Sequence, residues 1–201
     1  MLPFEVFPFD LLYKQSWDIE HVGSQTDSKL DKLEDQIVWV DNLRYIDEIR
    51  KKDSPDSVKY RDDIQEAVDK FLKDNKTESF KTLWSLVNTF IDEQLGDEKI
   101  IDKDLVGNLV LLDSTTNRSY KNALFPRKRL YIIAADGNKG EDESLKNIAN
   151  VYIPICTKQV FMKYYSKKNY INYGAWTKSD SEAYMKDFAD KLKYYLQSET
   201  L

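Results

Sequence analysis

The stretch that decides the fold of this chain runs Val106-Gly-Asn-Leu-Val-Leu-Leu-Asp-Ser-Thr-Thr-Asn-Arg-Ser-Tyr-Lys-Asn122. Its apolar run, 109–112, is unbroken and follows a glycine, which is typical of a buried strand. Asp113 or Ser114 then offers an N-cap for a short helix that carries Asn117. The stretch therefore predicts a buried strand that leads directly into a helix.

A second strand is predicted far upstream, where the only histidine of the chain lies. Residues 17–22 read Trp-Asp-Ile-Glu-His-Val and alternate between the two faces of a strand, and Gly23 with Ser24 ends the pattern. Histidine is the usual general base near neutral pH, and an acidic neighbour such as Glu20 can hold a divalent metal. Taken alone, the stretch favours a surface or packed His21 beside unrelated acids, so a functional interpretation depends on the rest of the chain.

The remaining sequence is mostly of helical spacing, and between the two strands this pattern runs from Ser28 to Gly96 with a break at 54–56. That segment predicts helices over 28–51 with Asp27 or Ser28 as N-cap, over 58–74, and over 78–95 with Gly96 as the stop signal. After the second strand we predict helices over 126–135 and over 152–165, and the core candidates of the latter are Phe161, Tyr164 and Tyr165. A last helix is predicted to begin at Ser179 or Asp180 as its cap. Its apolar stripe consists of Tyr184, Phe188, Leu192 and Tyr195. The expected fold class is α+β and predominantly helical.

Composition narrows the classes of protein that this chain fits. It has 201 residues, a length that fits one domain, and a net charge of −5. With one cysteine, Cys156, and one histidine it cannot build a four-ligand Cys/His zinc site. No signal peptide is visible, and no apolar run approaches the roughly 18 residues of a membrane span, so we expect a cytoplasmic protein with no membrane partner. A local run from 118 to 129 holds five basic residues and no acid, which favours phosphate contacts or, equally, a solvated helix face.

Taken together, the two stretches resemble the HNH endonuclease motif, the ββα-metal fold. The elements that carry the resemblance are Glu20-His21-Val22, the run Gly-Asn-Leu-x-Leu-Leu at 107–112, and Asn117, nine residues after Asn108. The motif is similar to the HNH domain of the CRISPR RNA-guided nucleases. It is closer to the C-terminal nuclease domain of GmrSD-type modification-dependent restriction proteins, in which a ParB-like domain precedes it. Three later segments, 152–157, 161–165 and 176–180, also resemble the C-terminal part of that family.

The resemblance implies an architecture and a role for each motif residue. It implies one HNH domain over 1–201, in the C-terminal part of a larger protein, with 28–100 as a helical insertion between the two strands of the motif. The implied roles are His21 as general base, Asn108 as the residue that fixes the loop carrying His21 and orients its ring, Glu20 and Asn117 as ligands of one Mg²⁺ or Mn²⁺ ion, and Arg118, Lys121 and Lys128 as contacts of the phosphate backbone.

One geometric condition follows from the strand itself. Neighbouring residues of a strand point to opposite faces, so Glu20 and His21 serve one site only if the strand twists or bulges at its end. The sequence also departs from the family in two ways. Many HNH sites have proline three residues after the histidine, where this chain has Ser24, and the gap of about 85 residues between the strands is unusually long.

The function expected from the resemblance is metal-dependent cleavage of DNA to leave 5′-phosphate ends, in prokaryotic restriction or anti-phage defence. The expected partners are DNA, including modified foreign DNA, and either a second copy of the chain or an upstream recognition domain. Two alternatives stay open at this point. One is a catalytically inactive HNH fold used for binding or assembly, and the other is a nuclease that cleaves RNA.

Overall fold

The structure is a computed structural model that describes residues 9–14, 16–23, 30–49, 56–116, 123–166 and 172–196. Its α-helices are α1 (Phe9–Lys14), α2 (Leu33–Asp41), α3 (Asp56–Asp74), α4 (Thr77–Leu95), α5 (Phe125–Ala135), α6 (Glu143–Lys146), α7 (Ile155–Phe161) and α8 (Lys178–Leu196), and its strands are β1 (Trp17–His21) and β2 (Leu109–Asp113). Three 3-10 segments of the described residues cover Asn42–Ile49, Gly96–Glu98 and Val106–Asn108. The protein is therefore α+β and predominantly helical, as predicted.

The two strands pair with each other across a long sequence gap. They form a two-stranded antiparallel sheet in which Trp17 is opposite Asp113 and His21 is opposite Leu109. One face of this hairpin is covered, because Val110 and Leu112 are buried, whereas the other face exposes 60% of Ile19. Both predicted strands are thus present, and β2 is the more buried of the two, as its unbroken apolar run indicated.

The helices between the strands form a core of their own, which we call the helical block (30–98). Its centre is the packing of α3 on α4, and the two helices bury Phe71 against Phe80 with ring centroids 5.3 Å apart. Gly96 ends α4 with a positive φ of 52°, a conformation that glycine adopts without strain, so the predicted stop is confirmed. The helix predicted over 28–51 is shorter than expected: α2 begins at Leu33 and a 3-10 segment continues it, and the expected caps at 27–28 lie outside the described residues.

A second core lies under the inner face of the two-stranded sheet. We call the two strands together with α5, α7 and α8 the hairpin unit. The buried side chains of this core come from β2, α5, α7 and α8 and from neighbouring segments that contribute Val22, Tyr165 and Trp176. Phe161 and Tyr165 are buried here as predicted, but Tyr164 is 70% exposed, so its assignment to the core was wrong. The reason is that α7 ends at Phe161 and the chain then turns, with a positive φ of 61° at Lys163, which directs Tyr164 to the surface.

The last helix is held by a capping arrangement that begins two residues before the first predicted cap, Ser179. Because α8 begins at Lys178, Thr177 is its cap, in place of Ser179 or Asp180. The carboxylate of Asp180 accepts a hydrogen bond from the Thr177 main-chain N–H (2.9 Å), and the Thr177 hydroxyl oxygen accepts one from the Asp180 N–H (3.3 Å), which is a capping box. The predicted apolar stripe is only partly in the core, since Tyr184 is buried but Phe188 and Leu192 are at least 40% exposed.

No helix among the described residues is both long and apolar enough to cross a membrane.

Candidate functional site

Asn108 joins the end of β1 to the start of β2. It is completely buried, its main-chain oxygen accepts a hydrogen bond from Val22 N–H (2.8 Å), and its side-chain oxygen accepts one from Gly23 N–H (2.8 Å). Its side-chain amide also donates to the main-chain oxygen of Lys103 at 3.0 Å. One asparagine therefore fastens both the residues that follow His21 and the loop that precedes β2.

His21 lies at the last position of β1, with its side chain 43% exposed. Its Nε2 atom is 3.1 Å from a carboxylate oxygen of Asp104, whose own side chain is 89% exposed. Asp104 belongs to the loop that Asn108 fastens through Lys103. Sequence reasoning did not identify Asp104, because nothing in the run Ile-Asp-Lys-Asp-Leu at 101–105 marks one of its acids as the neighbour of a histidine 83 positions away.

Glu20 faces the opposite way, into the protein. Its carboxylate forms an ion pair with the ammonium group of Lys128, which comes from α5. The same ammonium donates a hydrogen bond to the main-chain oxygen of His21 at 2.7 Å. The Lys128 side chain is only 3% exposed, and burial lowers its pKa, an effect that the Glu20 carboxylate opposes.

The strand shows no bulge at this point. Pairing in β1 runs without interruption through Glu20 opposite Val110 and His21 opposite Leu109. The Glu20 carboxylate and the His21 ring are therefore on opposite sides of the hairpin, as simple alternation requires. The expected bulge, which would have brought both side chains into one site, is absent from the described strand.

The residues that follow β2 begin the predicted helix. Residues 114–116 are helical, and a carboxylate oxygen of Asp113 accepts hydrogen bonds from the N–H groups of Thr115 (3.1 Å) and Thr116 (3.0 Å). Asp113 is thus the N-cap, which is one of the two residues predicted for that role. Asn117, the second predicted metal ligand, lies outside the described residues, as do the predicted phosphate contacts Arg118 and Lys121.

The basic run is less exposed than its sequence suggested. Of its described members, Lys128 is buried against Glu20, Arg127 donates to the hydroxyl groups of Tyr45 (3.1 Å) and Ser144 (3.0 Å), and the guanidinium of Arg129 lies 4.4 Å from the centre of the Tyr173 ring. Lys128 was expected to bind phosphate. Its buried ion pair makes it the structural partner of Glu20 instead, because an ammonium group held inside the protein does not reach a DNA backbone.

Gly107, which precedes Asn108, is required by close packing. A Cβ atom at this position would lie 2.6 Å from the main-chain oxygen of Ser181 in α8, and the Gly107 oxygen accepts a hydrogen bond from the indole N–H of Trp176 at 2.9 Å. The glycine of the motif therefore lets α8 approach the start of β2. This contact fixes the Asn108 segment against the core of the hairpin unit.

The fit of a divalent metal to these residues is partial. In the part of the chain that the structure describes, no three histidine, cysteine, aspartate or glutamate side chains form a group that could hold a metal ion. Glu20 fits in kind, because Mg²⁺ and Mn²⁺ prefer oxygen ligands and its carboxylate, with the His21 carbonyl, already holds a cation in the form of the Lys128 ammonium. A metal ion at Glu20 would have to share the carboxylate with Lys128 or displace it.

Comparison of this chain with family models, with curated proteins and with solved structures gives no match. The assignment of a function therefore depends on the residues themselves.

Proposed function

We propose that this protein is a metal-dependent endonuclease of the HNH type that hydrolyses phosphodiester bonds in DNA, with His21 as the general base. The observation that supports this most is the junction at Asn108, which connects the end of β1 to the start of β2 by a 2.8 Å hydrogen bond between residues 85 positions apart. Through this junction the only histidine of the chain stands half-exposed at the end of a ββ hairpin that leads into a helical turn at 114–116. That is the order of elements in a ββα-metal core.

In the proposed reaction His21 takes a proton from a water molecule. The oxygen of that water attacks the phosphorus atom, the bond from phosphorus to the 3′ oxygen breaks, and the leaving oxygen takes up a proton from solvent. The products are a 5′-phosphate and a 3′-hydroxyl. Asn108 contributes by fixing the main chain directly after His21, so that the main-chain position from which the ring extends is defined.

The proposed metal is Mg²⁺ or Mn²⁺, held by Glu20 and Asn117. Because the Glu20 carboxylate faces Lys128 and away from the His21 ring, this proposal requires the end of β1 to twist so that the carboxylate leaves Lys128 and turns to the side of His21. Such an ion, when bound, stabilises negative charge on the phosphate and on the leaving oxygen. By the same proposal, Arg118 and Lys121 contact the DNA backbone, and the segment 28–100, which contains the helical block, is an insertion between the strands of the motif. The proposed setting is cytoplasmic restriction of foreign or modified DNA, with target choice supplied by an upstream recognition domain or by a second copy of the chain.

One observation favours a second candidate, an HNH fold that binds or assembles without cleaving. The carboxylate proposed as a metal ligand is already neutralised by a buried lysine, which is what a site that has lost its metal would show. The two candidates differ in a single measurable property, namely whether His21 is needed for a chemical step.

The experiment is a nicking assay on supercoiled plasmid with Mg²⁺ or Mn²⁺, and with EDTA as the metal-free condition. We expect cleavage only with the metal, and a loss of at least about 100-fold in the His21→Ala variant, because a general base typically contributes a factor of 10²–10⁴. The matched control is Leu109→Ala, since Leu109 is the cross-strand partner of His21 and supplies no ionisable group.

Three outcomes separate the candidates. Intact plasmid under all metal conditions, with both unmodified and cytosine-modified DNA, would exclude the endonuclease and leave the binding module. Cleavage that persists in His21→Ala would exclude His21 as the base. Faster cleavage of a structured RNA than of DNA under the same conditions would change the substrate class to RNA.

A further inference from the structure

The loop before β2 supplies an acidic partner for the proposed general base. We propose that Asp104 is a positioning residue that fixes the ring of His21 and the nitrogen on which the ring carries its proton. This inference rests on the proposed nuclease function for its catalytic consequence, but the geometry on which it depends is independent of that function.

The first step of the argument is the contact between the two side chains. His21 Nε2 and a carboxylate oxygen of Asp104 are 3.1 Å apart, which is hydrogen-bond distance. A carboxylate can only accept, so the ring nitrogen that faces it must carry the proton. The neutral ring then has its proton on Nε2 and a lone pair on Nδ1, and Nδ1 becomes the atom that can take a proton from water.

The second step is that the main chain on both sides of this contact is held by one buried side chain. The Asn108 side-chain oxygen accepts from Gly23 N–H, two residues after His21, and its amide donates to Lys103 C=O, one residue before Asp104. The loop is further fixed by a hydrogen bond from the Asp104 N–H to the Asp102 carboxylate (3.2 Å). The histidine and its acidic partner are therefore fastened to the same asparagine.

The third step is that stability does not explain the pair. Both side chains are substantially exposed, and exposed ion pairs contribute little to folding because water screens them. A contact that adds little to stability, yet joins the only histidine to a loop held by a fully buried asparagine, is best explained by its effect on the ring. In the proposed reaction an oriented ring is more often in the reactive rotamer and tautomer, and a larger fraction of the bound complexes can therefore react.

The kinetic test compares wild type with Asp104→Ala and Asp104→Glu in the plasmid assay. We expect Asp104→Ala to lower kcat by about tenfold or more, within the range that general-base catalysis contributes, and to leave the KM for DNA nearly unchanged. Asp104→Glu keeps the carboxylate and should recover part of the lost kcat. Asp97→Asn is the matched control, because it removes one exposed negative charge from the segment before the loop without touching the ring.

An independent test uses the fact that the chain has only one histidine. Nitrogen-15 labelling of histidine gives one imidazole, and its two nitrogen shifts at mildly alkaline pH report which nitrogen carries the proton. We expect a single Nε2–H form in wild type and in Asp97→Asn, and a shift toward the mixture of an unconstrained imidazole in Asp104→Ala. Unchanged shifts in Asp104→Ala would overturn the proposal whether or not the protein cleaves DNA.

The two failures can be told apart. If wild type cleaves plasmid and Asp104→Ala retains its kcat, the role of Asp104 is wrong and the proposed function stands. If wild type never cleaves but the imidazole shifts change in Asp104→Ala, the positioning contact is real and the proposed function is wrong.

Discussion

A buried lysine holds the end of β1, with its ammonium between the carboxylate of Glu20 and the main-chain oxygen of His21. Such a pair is a weak source of net stability, but breaking it from one side is costly, because the remaining charge is left buried without a partner. The pair therefore acts mainly by fixing the end of β1, and this also fixes the main-chain position of His21 from which its ring extends.

We predict that Lys128→Met lowers the free energy of unfolding by roughly 3–5 kcal/mol, the usual cost of leaving one member of a buried ion pair uncompensated. Urea denaturation followed by circular dichroism measures this. The control is the double variant Glu20→Gln with Lys128→Met, which removes both charges and should recover at least half of the loss. Equal destabilisation in the single and double variants would mean that the lysine contributes through packing alone.

For single residues, the sequence-based prediction selected side chains by their chemical type. The predicted role was wrong where burial of the side chain determines that role. Asn108 is predicted to fix the loop that carries His21, and its side-chain oxygen accepts a hydrogen bond from Gly23 N–H in that loop, whereas its amide donates to Lys103 in the loop before β2. Lys128 looked like one more member of a basic run, because its neighbours Arg127 and Arg129 are also basic. Its burial depends on Glu20, 108 positions away, and no local pattern reveals such a partner.

Between elements, a polar cluster joins the helical block to the hairpin unit. The hydroxyl of Tyr45, from the 3-10 segment after α2, donates to the carboxylate of Asp142 at 2.6 Å, and Arg127 of α5 donates to the same hydroxyl. Asp142 also caps α6 by accepting from the N–H (2.9 Å) and hydroxyl (2.6 Å) of Ser144. These hydrogen bonds, first from Ser144 and then from Tyr45, lower the pKa of Asp142 from 3.8 to about 2.

We predict that Tyr45→Phe raises the pKa of Asp142 toward 3.8, without reaching it, because the Ser144 hydrogen bonds remain. A carboxyl group whose pKa is lower in the folded state stabilises the protein above the unfolded value of 3.8, and this contribution is lost as pH falls toward about 2. The stability difference between wild type and Tyr45→Phe should therefore be present at neutral pH and narrow between pH 4 and pH 2. We expect it to stay below about 1 kcal/mol, because the carboxylate is partly exposed and screened by solvent.

The pKa is measured by carbon-detected NMR titration of the Asp142 side chain, and the stability difference by urea denaturation at each pH. In an Asp142→Asn background the same Tyr45→Phe change should have no dependence on pH in this range. A difference that stays constant from pH 4 to pH 2 would show that the Tyr45 hydroxyl acts through Arg127 and has no effect on the carboxylate.

At the scale of elements, helices were predicted well where local signals define their ends, and poorly where distant contacts do. Gly96 and Pro126 mark an end and a start that the structure reproduces. The end of α7 at Phe161 depends on the turn at Lys163, whose ammonium is buried against Asp180 and the main-chain oxygen of Ala175. An ion pair between two separate segments has no signature in helical periodicity, so the predicted helix ran on to 165.

The part of the molecule that the structure describes has two apolar cores, and two consecutive residues beyond β2 belong one to each. Leu124 is 2% exposed and belongs to the core of the helical block, whereas Phe125 belongs to the core of the hairpin unit. Between the cores lies a cavity of about 350 Å³ that both residues line, together with Leu95 and Trp176. The sequence predicted helices between the two strands, but it did not predict that their core would include a residue from beyond β2, since such a contact depends on how the parts meet.

This arrangement makes Leu124 one of the side chains that couple the stability of the two cores. We predict that Leu124→Ala lowers the free energy of unfolding by roughly 2–5 kcal/mol, because it removes a buried leucine side chain and enlarges the cavity that this side chain lines. We also predict that the two cores then unfold at different urea concentrations. Tryptophan fluorescence can show this, since Trp39 and Trp84 report on the helical block and Trp17 and Trp176 on the hairpin unit.

The measurement uses two backgrounds, each with one tryptophan pair replaced by phenylalanine, so that each fluorescence signal comes from one part of the molecule. Leu83→Ala is the matched control, because Leu83 is completely buried in the same core as Leu124 but lies within α4. It should lower stability by a similar amount while both signals keep one midpoint, since it leaves the junction intact. If Leu124→Ala also keeps one midpoint, the cores are coupled by the Tyr45, Arg127 and Asp142 cluster rather than by Leu124. The hairpin unit sets the positions of His21 and Asn108 in the proposed active site. If the two cores stay coupled in this way, any substitution that destabilises the helical block also destabilises the hairpin unit and therefore the proposed active site.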